Sequence, residues 1–352
     1  MNKIYRPVIA ITMGDPAGIG PEIAAKVFAS QELYQICNPL LIGNKYIMRN
    51  AIKTTGVKLQ SRIVGNISEA RYEKRIADIL EISVDGVEQI KSGIKSASAG
   101  DMAFKAIKLA IDLALERKAD ATVTGPIHKK SLNMAGHHFS GHTEIFAHFT
   151  RTSNYAMLLI DDALKVMHVT THVSLRQACD MIKKKKVLDV IILLNNELKK
   201  IGIVTPRIGV AGLNPHAGDD GLFGDEEINE IVPAVTEAKN SGILADGPLP
   251  ADSLYTLACG GKFDGCVAMY HDQGHIPFKL LGFEYDRKSK SMKSVRGVNI
   301  TVGLPIIRTS VDHGTAFDIA GKGIASPDAL MQAVVYAAKL AGYKRTEGHR
   351  DL

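Results

Sequence analysis

Val8-Ile-Ala-Ile-Thr-Met-Gly-Asp-Pro-Ala-Gly-Ile-Gly-Pro-Glu22 joins a short apolar run to a glycine- and proline-rich turn, with an acidic residue behind it. The apolar run predicts a buried strand, Val8 to Thr12, and the acidic residue marks a helix start near Glu22. Two readings of the turn stand side by side. A glycine-rich loop at a helix start can cradle an anion, or the glycines simply satisfy a tight turn between strand and helix. The loop is not a Walker phosphate loop, because no Gly-Lys-Ser/Thr follows. Nor is it the dinucleotide fingerprint, because Ile23 stands where the third glycine belongs. No such fingerprint occurs elsewhere.

The same alternation recurs along the chain. Ala103 to Glu116 places Phe104, Ile107, Ile111 and Leu115 at helical spacing, and Ala121 to Thr124 reads as a strand before the loop Gly125 to Lys129. Leu164 to Thr170, Arg207 to Leu213 and Gly265 to Tyr270 read as strands, Val187 to Lys200 and Asp225 to Lys239 as helices. Ser326-Pro-Asp caps a final helix. Strands alternating with helices predict an α/β fold with a largely parallel sheet. Arg287 to Val295 is polar and basic and reads as an exposed loop or hairpin.

Reactive residues gather where apolar runs end. Val166-Met-His-Val-Thr-Thr leads to His172, Ile208 to Leu213 into Asn214-Pro-His216, and Cys266 to Tyr270 into His271-Asp-Gln-Gly-His275. Ile306 to Val311, containing Arg308, leads to Asp312-His-Gly. Ligands in open α/β sheets bind at the carboxyl ends of strands. His172, His216 and His271 are therefore candidate ligands to a divalent metal, in the three-ligand pattern that leaves a position open for catalysis. The alternative is three unrelated histidines, each satisfied by hydrogen bonds. Lys129, Lys279 and Arg308 lie in or just beyond strand-like runs and suit phosphate or carboxylate. Ser140-Gly-His142-Thr143-Glu144 adds donors on a turn.

Composition narrows the classes. At 352 residues two domains are expected, and 45% apolar with 23% charged residues is ordinary for a globular protein. A net charge of +6 suits small anionic substrates. With no tryptophan and few aromatics, nucleic-acid stacking is not expected. No stretch is long and apolar enough for a membrane helix, and the N-terminus lacks a signal-peptide core, so a cytoplasmic location is expected. Cys37, Cys179, Cys259 and Cys266 form no metal or disulfide pattern and read as buried reduced thiols. Lys183 to Lys186 reads as a solvated helix face.

In these motifs the chain resembles the 4-hydroxythreonine-4-phosphate dehydrogenase family. The matching segments are Thr12 to Glu22, Thr124-Gly-Pro-Ile-His-Lys129, Gly141-His-Thr-Glu144, Thr171-His172 and Leu213-Asn-Pro-His-Ala-Gly218. They continue with Pro250-Ala-Asp252, Ala268-Met-Tyr-His-Asp-Gln-Gly274, Gly297-Val-Asn-Ile-Thr301 and Pro305 to Thr315. They run in order over essentially the whole chain.

The resemblance implies an isocitrate/isopropylmalate-dehydrogenase-like fold, two α/β/α domains around a central cleft, built as a homodimer. Residues 1–138 with 317–352 would form the first domain. Residues 139–316 would form the second, carrying most metal and substrate residues and the dimer interface. NAD or NADP would bind without the fingerprint, at residues the sequence does not identify. His172, His216 and His271 would hold one divalent ion (zinc, magnesium or cobalt) in a site completed across the dimer interface. His142, Thr143, Lys279, Asn299 and Arg308 would bind substrate, with Lys279, Asp252 and Asp272 as catalytic candidates.

The reaction implied is oxidation and decarboxylation of a phosphorylated 3-hydroxy acid. The longer link between His275 and Gly297 is similar to the branch acting on D-threonate or D-erythronate 4-phosphate, giving dihydroxyacetone phosphate and CO2. Other readings are the vitamin B6 substrate 4-hydroxy-L-threonine 4-phosphate, a non-redox acyl or phosphoryl transferase on the same fold, a zinc hydrolase, and a ligand-binding protein with a degenerate site.

Overall fold

The computed structural model describes residues 5–287 and 291–347. The chain forms two compact units, Met1–Tyr155 with Leu304–Leu352, and Ala156–Gly303. In chain order the first unit contains β1 (Val8–Thr12), α1 (Gly20–Ala29), α2 (Leu33–Ile36), β2 (Asn38–Gly43), α3 (Lys45–Thr55), β3 (Gln60–Val64) and β4 (Ile76–Glu81). It continues with α4 (Ala97–Leu115), β5 (Ala121–Thr124), α5 (Lys129–Met134) and α6 (His142–Thr150).

The second unit contains β6 (Ala156–Ile160), β7 (Lys165–His168), α7 (Leu175–Met181), α8 (Lys184–Lys200), β8 (Arg207–Ala211), a π-helical turn (Glu227–Ile231), α9 (Val232–Asn240) and β9 (Leu244–Leu249). Then come α10 (Ala251–Cys259), β10 (Gly265–Ala268), α11 (His271–Gly282), β11 (Phe283–Asp286), β12 (Ser291–Val295) and β13 (Val298–Val302). The chain returns to the first unit with β14 (Arg308–Val311) and α12 (Asp328–Glu347).

The strands of the first unit lie in the order β3-β4-β2-β1-β5-β14, every pair parallel. All four residues of β5 and four of the five in β1 are buried, as expected where helices cover both faces of a parallel sheet. In the second unit the order is β13-β6-β7-β10-β8-β9; β13 and β7 are antiparallel to β6, and β7, β10, β8 and β9 run parallel. The α/β class and largely parallel sheets read from the sequence are found.

Local signals account for the helix starts. Asn44 accepts from the backbone N–H groups of Tyr46 and Ile47 at the start of α3, and Ser174 forms a capping box with Gln177 on α7. Ser326 accepts from Asp328 N–H ahead of α12.

Several expectations change. Residues 139–155 and 304–316 belong to the first unit, not the second. Ile145 and Phe146 of α6 and Ile306 join Ile107 and Ile111 of α4 in one core cluster, and β14 pairs with β5. His142, Thr143 and Glu144 form the first turn of α6 rather than a free turn. Among the cysteines, Cys37 and Cys266 are buried, but Cys179 is half-buried and Cys259, at the end of α10, is exposed. Lys183, Lys184 and Lys185 pair with Glu230, Glu237 and Asp189, so three of the four lysines of the basic run are ion-paired. The basic segment forms the antiparallel hairpin β11–β12, of which residues 288–290 lie outside the described residues.

Candidate active site

In the first unit, the glycine loop after β1 packs on its own protein. Gly14 has φ 77°, and a Cβ there would lie 2.4 Å from Pro126 O. A Cβ at Gly20 would strike Met13 O, and one at Gly125 would sit 2.8 Å from the same oxygen. The glycines let two neighbouring strand-end loops touch, which supports the tight-turn reading over the anion cradle. Asp15 caps the turn from within, its Oδ1 accepting from Ala17 N–H. Glu22, 4% exposed, accepts from the N–H groups of Gly321 and Gly323, which ties α1 to that later loop.

The sheet positions Arg308 at the first residue of β14, beside Thr122 of β5. Its guanidinium is buried, donates from Nη2 to Thr124 Oγ1 at 3.0 Å, and lies 5.6 Å from the Phe146 ring centroid. Burial pushes its pKa down to about 9, partly countered by the charge of Glu144. His142, at the start of α6, has its Nε2 shielded from solvent without a hydrogen-bond partner. Burial holds this imidazole well below its ordinary pKa, and the charge of Arg308 adds to the effect. Thr143 follows it, half-buried. The first unit therefore brings together three of the candidate residues, a neutral imidazole, a hydroxyl and a buried cation.

In the second unit, β7, β10 and β8 are adjacent and parallel, so His172, His271 and His216 all leave the same sheet edge. The loops after β7 and β10 run on together, with Val169 N–H donating to Ala268 O and Thr170 Oγ1 to Met269 O. His172 and His271 have ring centroids 5.9 Å apart. Two imidazoles sharing one zinc-like ion, with metal–nitrogen bonds near 2 Å, place their centroids roughly 5–6 Å apart. His271 Nδ1 lies 2.6 Å from Asp272 Oδ1. A carboxylate can only accept here, so Nδ1 carries the proton and Nε2 keeps its lone pair, the arrangement that orients metal-ligating histidines.

His216 sits on a turn spanning Pro215–Gly221, exposed, with Phe223 6.2 Å from its ring. His216, Ala217, Asp219 and Asp220 all have positive φ, between 45° and 55°. At about 1–2 kcal/mol per non-glycine residue this run stores several kcal/mol, and strain of that kind concentrates at functional sites. Among the described residues, no three His, Cys, Asp or Glu side chains converge on one ion-sized point. The donor chemistry and the common sheet edge suit a divalent ion, and two of the three candidate histidines, His172 and His271, are neighbours.

The remaining candidates are dispersed within this unit. Lys279 lies on α11, its Nζ 5.5 Å from the Phe283 ring centroid. Asn299 is half-buried on β13, paired with Leu159 of β6. Asp252 is exposed in the first turn of α10, a helix that packs against β8 and the His216 turn.

The sequence reading assigned no role to two further imidazoles. His275 stacks on His271 at 3.7 Å, and His168, the last residue of β7, lies 4.7 Å from His275. Burial lowers the pKa of His275 to about 4, with His271 adding to the shift, and that of His168 to about 3, with His275 adding. His275 Nδ1 donates to His271 O at 3.0 Å. The four-residue spacing of His271 and His275 on a helix was the signal that could have found the pair.

The family model for the pyridoxal phosphate biosynthetic protein PdxA matches residues 35–337. A relative from Symbiobacterium thermophilum, provisionally named a D-threonate 4-phosphate dehydrogenase, is 47% identical over 342 residues, covering 97% of this chain and 99% of its own. A crystal structure from Burkholderia phymatum, titled a 4-hydroxythreonine-4-phosphate dehydrogenase, is 45% identical with a TM-score of 0.79, covering 96% of this chain and 99% of that one. One with the same enzyme name from Klebsiella pneumoniae is 42% identical with a TM-score of 0.82, covering 95% and 99%. No helix is long and apolar enough to cross a membrane among the described residues.

Proposed function

Because the chain belongs to the PdxA family, we propose that it is a dehydrogenase that oxidises the 3-hydroxyl of a small 4-phosphorylated hydroxy acid with NAD or NADP. The resulting β-keto acid then loses CO2. D-Threonate or D-erythronate 4-phosphate is the preferred substrate, in keeping with the name of the Symbiobacterium relative and the long link between His275 and Gly297. The observation that carries the reading is the departure of His172, His216 and His271 from one sheet edge, with two of them already at a ligand-pair separation.

His172, His216 and His271 would hold the ion. When bound, the ion would supply Lewis acidity at the substrate hydroxyl and developing carbonyl, and NAD or NADP would supply the hydride acceptor. Asp272 keeps the His271 lone pair turned outward. That occupation leaves Asp252 to take the hydroxyl proton, because Lys279, as a cation holding an anionic group, has no lone pair to accept it. Within the first unit, Arg308, His142 and Thr143 suit a phosphate, where the neutral imidazole can donate without adding charge; within the second, Lys279 and Asn299 suit an anionic group of the substrate. A homodimer with the metal site shared is supported by exposed apolar side chains beside the histidines: Val173 at 39%, Leu175 at 61%, Leu222 at 72% and Phe223 at 47%.

The test is a spectrophotometric screen of the purified protein with the three candidate phosphates, each with NAD and NADP. It is run before and after chelation, with zinc, magnesium or cobalt added back. The expected result is highest kcat/KM for a D-threonate-type substrate, loss of turnover on chelation and its return with metal. Undiminished turnover in protein proven metal-free sinks the metal role. Product without reduced nucleotide sinks the redox assignment. Preference for 4-hydroxy-L-threonine 4-phosphate would establish the second reading, which the names of the two solved neighbours favour.

A further inference from the structure

We infer that Glu227 is a positioning residue that holds His216 in reach of the metal site, an assignment that rests on the metal reading above. Glu227 is 2% exposed and opens the π-helical turn ahead of α9. Its Oε1 accepts from Leu213 N–H at 2.6 Å and Asn214 N–H at 2.8 Å, and its Oε2 from Asn214 Nδ2 at 2.9 Å. The neighbouring Glu226 takes the other proton of the same amide at 2.7 Å. The loop curls around this carboxylate. A Cβ at Gly218 would lie 2.8 Å from Glu227 Oε2, and one at Gly212 3.1 Å from Oε1.

A buried carboxylate is sustained only by such charge-assisted donors. Its grip lies immediately before the left-handed run of 216–220. That run is unfavourable for the side chains it carries, so an external anchor must set it.

A second tie fixes this anchored loop against the other ligands. Gln273, 8% exposed, accepts from Met269 N–H at 2.6 Å and donates to Gly212 O at 2.7 Å. It bridges the ends of β10 and β8, from which His271 and His216 depart. Glu227 therefore sets the loop, and Gln273 fixes the loop's base to the strand that carries His271.

The experiment titrates the metal-free full-length protein with cobalt(II), reading affinity by chelator competition and ligand geometry from the visible d–d spectrum. Wild type, Glu227→Ala, Glu227→Gln and the control Glu230→Gln are compared. Glu230 lies on the same turn but contacts Lys183 and Lys184 instead. Glu227→Ala is expected to weaken cobalt binding 10- to 100-fold, the range for outer-shell partners of metal ligands, and to shift the spectrum as one imidazole is lost. Glu227→Gln, which keeps one acceptor oxygen, should lose several-fold, and Glu230→Gln nothing. If Glu227→Ala does not fold, the Glu227→Gln result decides.

Wild-type affinity and spectrum in the folded Glu227 variants overturn the inference while leaving the metal reading intact. A wild-type chain that binds no cobalt overturns both.

Discussion

Replacing Arg308 with methionine separates the cost of a buried charge from its use. Arg308 is 2% exposed, and burial pushes its pKa down from the ordinary guanidinium range to about 9. At about 1.4 kcal/mol per unit, the charged form is disfavoured in the fold by roughly 5 kcal/mol at neutral pH. The sign follows from a cation with a lowered folded pKa: the penalty is complete below about 9 and is relieved only as pH rises from there toward the ordinary guanidinium range. Methionine removes that penalty and keeps most of the volume. It forfeits contacts as well, among them the Thr124 hydrogen bond, about 1 kcal/mol, the Phe146 contact, about 1–2 kcal/mol, and the attraction of Glu144.

The expected change in stability is therefore small, well short of the loss that truncating a buried, hydrogen-bonded side chain usually brings. The same change deletes a forked grip on an anion. At about 1.5–3 kcal/mol per charge-assisted bond, two bonds correspond to a loss on the order of 10²- to 10⁴-fold in kcat/KM for the phosphorylated substrate. Arg308→Lys should recover only part, since a point charge lacks the fork. Thermal unfolding and steady-state kinetics on the same samples read both quantities. A variant that is less stable yet has unchanged kcat/KM would show that Arg308 braces the sheet and binds no ligand.

Three further outcomes follow from the first unit. Glu22→Ala should lower stability by about 2–3 kcal/mol by stranding two N–H groups on the 321–323 loop, measured as a drop in urea midpoint; an unchanged midpoint would mean water replaces the carboxylate. Gly14→Ala, at φ 77° with Pro126 O 2.4 Å from the new Cβ, should cost more than the roughly 1 kcal/mol of an ordinary Gly→Ala strain, and a variant melting with wild type would refute the contact. His142, held neutral, must bind fewer protons folded than unfolded. Its contribution is intact above the unfolded value near 6.5 and lost as pH falls below it, with a slope of up to about 1.4 kcal/mol per pH unit for one proton. His142→Gln should flatten that part of the stability–pH curve, and an unaltered slope would discount the burial.

Much of the architecture was readable because parallel strands buried on both faces are continuous apolar runs. Val8–Thr12 and Ala121–Thr124 were read at their actual bounds, and Arg207–Ala211 and Gly265–Ala268 to within two residues. β9 escaped because Leu-Ala-Asp-Gly-Pro-Leu has poor strand chemistry and survives only at the sheet edge. α6 was taken for a turn because Ser140-Gly141 precedes it, while the pull of Ile145 and Phe146 into the α4 core is a tertiary effect. The left-handed turn at 216–220 was illegible for the same reason, since its conformation depends on Glu227, eleven residues beyond His216. Of the histidines, the strand-end positions were visible in the sequence, but the nearness of His168 to His275 depends on strand pairing.

The first unit is sewn from both ends of the chain, because β14 and α12 return to it after residues 156–303 have been laid down. During synthesis β5 therefore emerges with one flank bare and waits for Arg308–Val311 to dock beside it. The inserted unit is contiguous and can mature in the meantime. A ribosome stalled anywhere in that interval holds out a raw sheet edge, the kind of surface that chaperones guard and that neighbouring nascent chains can invade.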